Sequence, residues 1–437
     1  MIEFSCIHNG GTDLPIERAE GDPDVTYAKG TMADVHQSYQ RIAVQQVEQA
    51  VLAEELGFDY FWLTEHHFQP EGAEFSPSPV QTGTAIAMRT NKIRIGQMAN
   101  ILGRHHPLQL AEQLGLLDVL SGGRLEFGVG KGGGTRETEP FGQIYGSSDI
   151  DQSRGQAYFD EALEVILKAW TEPSFSHHGS FFSVPPKWAP WESEITKAYF
   201  DQGGLERTFD DVIDVREGKR YLKELSVYPQ PLQKPHPQIW QTALSTNSVR
   251  VSARRGFNVC HLGAGRNQMR EVLEAYHSEA EAAGWPDRDQ SGTPFKFGWD
   301  SERKRGMAFL RFVHIGDKPS DSMRNGLYHF PNYIANSLIS GIHLPHGVKL
   351  TGSTFDASGM MLHGSAEYVA EMLLDEYQAG GFEDYMVLPI FEAAGLSGKE
   401  IEEQMNLFAE EVMPILRKEC GGSPVARELI ALPSGPA

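Results

Sequence analysis

Phe58-Asp59-Tyr60-Phe61-Trp62-Leu63-Thr64-Glu65-His66-His67-Phe68 is the stretch on which the reading of this chain turns. Asp59–Leu63 is mostly apolar and reads as a short buried strand. It stops abruptly at Thr64, Glu65, His66 and His67. Titratable side chains at a strand's end add nothing to packing, whereas in an α/β barrel that end is where chemistry is done. A capping Thr and Glu followed by two solvated histidines would look the same locally. The surroundings therefore have to separate the two readings.

Working outward, strands and helices alternate. Ile2–His8 predicts a first strand and Tyr39–Leu56 a helix stopped by Gly57. Pro79–Arg89 reads as a helix, Ile93–Ala99 as a strand, and Pro107–Leu120 as a helix opened by proline and closed by Ser121-Gly122-Gly123. Arg124–Val129 is a strand running into Gly130-Lys131-Gly132-Gly133-Gly134, followed by a helix near Ser153–Trp170. Further strands are expected at Pro237–Thr242, Phe257–His261, Met307–Ile315 and Asp384–Leu388. The matching helices are Thr246–Arg255, Asn267–Ala283, Ser320–Ser337 and Lys399–Lys418, with another at Glu367–Ala379. This order predicts an α/β chain folded as a closed parallel (β/α)8 TIM barrel. A doubly wound sheet would carry a Gly-x-Gly-x-x-Gly after the first strand, and His8-Asn9-Gly10-Gly11 does not match it. The expectation is one domain over 1–437, with insertions at about 175–235 and 341–363. Long loops in a compact domain are usually lids, binding loops or subunit contacts. The glycine-rich second insertion reads as a lid.

Composition narrows the function classes. Of 437 residues, 38 are Lys or Arg and 59 are Asp or Glu, a net charge of −21. Such a surface disfavours nucleic acid and anionic membranes, so an anionic ligand must meet a local cluster of donors. No apolar run approaches the ~18–20 residues of a membrane helix, and Met1–Ser5 lacks the features of a signal peptide. Cys6, Cys260 and Cys420 are widely spaced, which argues against zinc and disulfides and favours a cytoplasmic location. The histidine pairs His66-His67, His105-His106 and His177-His178 do not suggest a metal site, because neighbours on an extended chain face opposite ways.

Two further strand ends carry polar clusters. Gly130–Gly134 would let backbone amides approach a ligand closely, and Lys131 and Arg136 add positive charge. The spacing is not that of a Walker loop, and a flexible turn with two solvated cations is the plain alternative. Ser245-Thr246-Asn247-Ser248 stands at a helix start, where hydroxyls cap the helix or, with the free N–H groups, hold a phosphate. Together these ends describe a site for a phosphorylated cofactor or substrate on one face of a barrel.

At this point the sequence resembles a known family. Trp62–Phe68 is similar to the second-strand motif of bacterial luciferase-like, flavin-dependent monooxygenases. The likeness continues through His106-Pro107, Leu116–Gly130, Phe141-Gly142, Ser245–Ser248 ahead of Arg255-Gly256, and Val412-Met413-Pro414. It covers most of the chain, but strand one and both insertions show little of it. The resemblance implies a barrel that binds reduced FMN, supplied by a separate NAD(P)H:flavin reductase. It implies oxygenation of a small organic substrate by dioxygen via a peroxyflavin, and a homo-oligomer, dimer or tetramer. By motif, His66 is the catalytic histidine and Glu65 its partner, orienting the ring or tuning its charge. Met98-Ala99 is the place of a non-prolyl cis peptide under the isoalloxazine. Lys131 stands near the flavin phosphate, with Ser245, Thr246 and Ser248 as phosphate-binding residues. Gly130 occupies the position of a reactive cysteine in light-emitting members, a departure that argues against light emission and an aldehyde substrate. Phe68, Phe75, Trp188 and Trp191 suggest an apolar or aromatic substrate. The alternatives are a deazaflavin-dependent oxidoreductase that transfers hydride without oxygen, a non-catalytic flavin-binding barrel, and a metal-dependent hydrolase.

Overall fold

The computed structural model describes residues 2–132, 135–148, 150–191, 194–202, 208–284, 306–316, 326, 329, 359–380, 385–419 and 429–435. Strands β1 (Ser5–His8), β2 (Tyr60–Leu63), β3 (Arg94–Gln97), β4 (Leu125–Gly130), β5 (Ile239–Ala243), β6 (Asn258–His261), β7 (Met307–Ile315) and β8 (Tyr385–Ile390) form the parallel sheet. They pair in chain order from β1 to β8. The last strand comes back beside the first, where Ser5 Oγ donates to Val387 O at 2.6 Å. This is the expected TIM-barrel architecture.

Parallel partners in register share a face, so the ladder tells inside from outside. Tyr60 and Trp62 on β2, Gly96 on β3 and Trp240 on β5 line the interior, with the Trp62 and Trp240 rings edge-to-face at 5.1 Å. Gly96 is small for a reason: a Cβ there would lie 1.9 Å from Trp62 Cε3. Residues one step along each strand, such as Phe61, Ile95 and Phe127, pack outward against the helices. Phe127 meets Trp170 at 5.0 Å.

Helices α1 (Met32–Leu56), α2 (Pro79–Ala87) and α3 (Pro107–Leu120) cover the first strands. α1 begins well before the expected Tyr39. Thr31 and Asp34 form a reciprocal cap there, and Val35, Ser38 and Ile42 continue the buried stripe. An Asp in place of the usual Glu or Gln hid this signal. α4 (Thr135–Tyr145) and α5 (Gln152–Thr171) follow β4. α4 was unforeseen, so Arg136 belongs to a helix and not to a glycine loop. α6 (Thr246–Arg254) and α7 (Arg266–Ala282) follow β5 and β6. α8 (Ala366–Gly380) precedes β8, and α9 (Gly398–Leu407) continues through a π-turn at Phe408–Val412 to Glu419.

Among its described residues, the expected insertion at 175–235 contains paired backbone segments. Phe175 and Leu225 exchange backbone hydrogen bonds of 2.9 and 3.0 Å at its neck. It contains the hairpins His177–His178/Ser183–Val184 and Ile213–Arg216/Lys219–Leu222. A further hairpin, Ile16–Ala19/Asp22–Ala28, stands between β1 and α1. Of the expected lid at 341–363, residues 341–358 lie outside the described residues. Met361–Gly364 forms a strand paired with the upper part of β7, Phe312 to Ile315, so this end is sheet and not open loop. The expected helix Ser320–Ser337 and Cys420 likewise fall mostly or wholly outside. Cys6 and Cys260 are buried free thiols, and burial pushes both up in pKa.

Candidate functional site

The C-terminal ends of the barrel strands gather the polar residues. Directly after β3 the Met98–Ala99 peptide bond is cis. The chain then runs as the short strand Asn100–Ile101 along β4, with Asn100 opposite Val129 and Ile101 opposite Gly130. This brings Gly130 against the bend. A Cβ on Gly130 would lie 2.8 Å from Ile101 Cδ1, 3.2 Å from Thr242 Oγ1 and 3.3 Å from Ala99 Cβ. Met98, Ala99, Gly130 and Thr242 are thereby joined in one cradle on the interior side. Beside it, on β2 and its continuation, Trp62 Nε1 and Thr64 Oγ1 are buried with no hydrogen-bond partner among the described residues. Buried polar atoms are normally satisfied. A small cradle with unpaired donors and acceptors in its wall suits a flat ligand bearing N–H and C=O edges, as an isoalloxazine does.

The end of β2 anchors a second cluster. Glu65, fully buried, receives Ile101 N at 2.8 Å through Oε2. The same oxygen lies 2.9 Å from His105 Nε2, and Oε1 lies 3.1 Å from His67 Nε2. Arg104 Nη1 donates to the Glu65 carbonyl at 3.1 Å. The carboxylates at His66 Nδ1 are different ones: Glu74 Oε2 at 3.2 Å and Glu137 Oε1 at 3.5 Å. The expectation that Glu65 partners His66 is therefore corrected. Consecutive side chains of an extended segment leave on opposite sides, so Glu65 meets His67 and His105.

Each pKa shift has a visible cause. Burial alone would push Glu65 up, but His105, His67 and Arg104 hold it far below the usual carboxylate range. Burial likewise opposes ionisation of Glu137, yet the charges of His66 and Arg104 and the Gln69 amide bring it down to about 2. Glu74 has less to hold its charge, only His66 and the Gln69 side chain. Burial first, then repulsion from Glu137 and Glu392, raise it to about 7 despite the pull of His66. For His66, burial disfavours the charged ring, but Glu74 and Glu137 outweigh it and raise the pKa. Two carboxylates whose surroundings drive them apart, with an imidazole between them, form a proton-handling arrangement.

The other expected residues are less tightly assembled. Gln241 of β5 stands opposite Val129 of β4, so the loops after those strands leave the barrel side by side. Lys131 lies in one and bonds Gln152 Oε1. Ser245 caps α6 in the other, accepting Ser248 N at 3.2 Å, with the two hydroxyls 3.0 Å apart. Thr246 opens α6. Of the aromatic residues, Phe68 is exposed and stacks on Phe141 at 5.4 Å, while Phe75 stacks on Tyr39 of α1 at 4.4 Å. Trp188 and Trp191 stay exposed on the insertion. Sequence reasoning missed Glu74, Arg104 and Glu137 and gave His67 and His105 no part. Glu137 was hidden behind the glycine run, and Glu74 follows the motif in an irregular segment. Among the described residues, no helix is long and apolar enough to cross a membrane.

Comparison with known proteins gives the family and the fold. Residues 29–200 and 203–384 match the model of the luciferase-like monooxygenase family. The oxygenase component of a flavin-dependent trigonelline monooxygenase from Acinetobacter baylyi is 22% identical over 392 residues, covering 86% of this chain and 91% of its own. The FMN-bound oxygenating constituent of 3,6-diketocamphane monooxygenase from Pseudomonas putida superposes with a TM-score of 0.61 at 20% identity, over 94% of this chain and 98% of its own. An F420-dependent secondary alcohol dehydrogenase shares the fold with a TM-score of 0.59 at 16% identity, over 86% and 95%.

Proposed function

Because the chain belongs to the luciferase-like monooxygenase family, we propose that it is the oxygenase component of a two-component flavin-dependent monooxygenase. It takes reduced FMN from a separate NAD(P)H:flavin reductase and uses dioxygen to oxygenate a small organic substrate. The observation that carries this reading is His66, held by two buried carboxylates at the end of β2, on the same barrel face as the Ala99–Gly130 cradle. Bound reduced flavin supplies the electrons that activate dioxygen. Met98, Ala99 and Gly130 would bear the ring system. Lys131, with the hydroxyls of Ser245, Thr246 and Ser248 at the start of α6, would hold the phosphate.

His66 is the catalytic residue of this reading. Its Nδ1 is buried although 22% of the side chain is exposed, so the exposure belongs to the rest of the ring. That open side can give a proton to, or take one from, a reacting oxygen. Glu65 ties His67, His105 and the Ile101 amide together and keeps the wall of the site rigid. Phe68 and Phe141 offer an apolar contact at the mouth. The second reading, a deazaflavin-dependent hydride transfer, is favoured by the shared fold with the F420-dependent dehydrogenase. Anaerobic titration with reduced FMN and with reduced F420, followed by admission of dioxygen, separates the two. Preferential binding of FMN with oxygen uptake supports the monooxygenase. Preferential binding of F420 with no oxygen uptake overturns it.

A further inference from the structure

In the reading above Glu74 only holds His66, and its own proton is not used. Its side chain is 5% exposed, and Oε2 lies 3.2 Å from His66 Nδ1. Both atoms lack any conventional hydrogen bond among the described residues. Glu137 approaches the same nitrogen but is occupied otherwise. It accepts Arg104 Nη2 at 2.8 Å, the His67 amide at 3.1 Å and the Gln69 side-chain amide. Glu137 thus stays ionised against the Arg104 cation, while Glu74 is free to change its protonation. Glu392 adds repulsion on Glu74.

We propose that Glu74 is a positioning residue that exchanges a proton with His66 across this contact during turnover. When the open nitrogen of His66, Nε2, takes a proton from a reacting group, the Nδ1 proton passes to Glu74 Oε2. The ring remains neutral and Glu74 becomes the acid; the reverse returns the proton. One proton enters, one moves on, and no net charge is left on the ring. Burial favours this pair, since a neutral imidazole beside a neutral carboxylic acid avoids the desolvation cost of a buried ion pair. The pair then titrates as a unit, and its midpoints belong to neither residue alone.

The inference rests on the assignment of His66 given above, and the experiment keeps the two apart. The His66 ring is followed by NMR against pH in the ligand-free protein, for wild type, Glu74→Gln, Glu74→Asp and Glu137→Gln. In wild type the first proton taken up by the pair is expected to switch the neutral ring from its Nδ1–H to its Nε2–H tautomer, read in the ring nitrogen shifts, before the ring becomes cationic at lower pH. In Glu74→Gln that first step should be absent and the ring should pass directly to the imidazolium. Glu74→Asp should recover the step and also guards against a misfolded Gln variant. With reduced FMN and dioxygen, the pH profile of hydrogen peroxide release should lose the corresponding step in Glu74→Gln. A wild-type His66 titration in folded Glu74→Gln overturns the proton exchange. So does loss of the step in Glu137→Gln with none in Glu74→Gln. Failure of every variant, wild type included, to bind reduced FMN would count against the proposed function, and the ligand-free titration would still decide the role of Glu74.

Discussion

Arg104→Met is the sharpest test of how the site is held together. Arg104 is nearly fully buried and lies between two carboxylates. Nη2 is 2.8 Å from Glu137 Oε2, and Nη1 is 3.7 Å from Glu65 Oε1. With an effective dielectric of about 20, these separations correspond to gross attractions of roughly 6 and 4 kcal/mol. Both carboxylates keep other donors: His67 N and Gln69 for Glu137, Ile101 N and His105 for Glu65. The net loss should therefore be about 3–5 kcal/mol, the cost of breaking a buried ion pair from one side. That is a large part of the ~5–15 kcal/mol by which a domain is stable. Urea unfolding at pH 7 measures it, and methionine preserves most of the volume. Adding Glu137→Gln should restore at least half of the loss, because the uncompensated charge is then gone. A single-variant loss below about 1 kcal/mol, or strictly additive effects, would refute this account of the cluster.

Three further outcomes follow from the same geometry. His66→Ala should leave folding and FMN binding nearly unchanged and slow oxygenation by ~10²–10⁴-fold, diverting oxygen to hydrogen peroxide; unchanged coupling of flavin oxidation to product would contradict its role. Lys131→Ala should weaken FMN more than riboflavin, since only FMN carries the phosphate, and equal weakening in a binding titration would remove Lys131 from that site. Stability should depend on pH in two opposite ways. Glu74 binds its proton more tightly when folded, so its contribution is present below the ordinary 4.5 and lost as pH rises through about 7. Glu137 behaves conversely, its contribution being lost as pH falls from 4.5 toward about 2. Between pH 5 and 8, Glu74→Gln should gain on wild type by up to about 3 kcal/mol in urea unfolding, and parallel pH curves would contradict this.

The sequence made the barrel legible because most strands carry a short apolar run followed by a glycine or polar break. The stretch from Phe58 to Phe68 also placed His66 at the chemical end of a strand. Elements without an apolar period were not legible. α4 follows a glycine run and contains Pro140, so its start gave no signal. The hairpin at 16–28 and the two in the insertion are short, partly exposed ladders with weak alternation. Within the site, the strand ends were readable one by one, but their pairings were not. Which carboxylate meets His66 depends on how the segment after β2 turns back, bridging His66 to Ser76 and placing Glu74 alongside. Glu137 arrives from a helix seventy residues on in the chain, roughly, and only the closed barrel brings it there. A sequence gives a residue's chemistry; the partner that sets its charge is a tertiary fact.

The central claim is that this barrel binds reduced FMN and controls its reaction with dioxygen. The direct measurement is rapid mixing of the anaerobic protein, loaded with reduced FMN, with oxygenated buffer, recording flavin oxidation and hydrogen peroxide release on one time base. The account predicts that both are much slower than for free reduced FMN, and that His66→Ala speeds peroxide release toward the free rate. A time course identical to that of free reduced FMN, at protein concentrations well above the flavin, would contradict it.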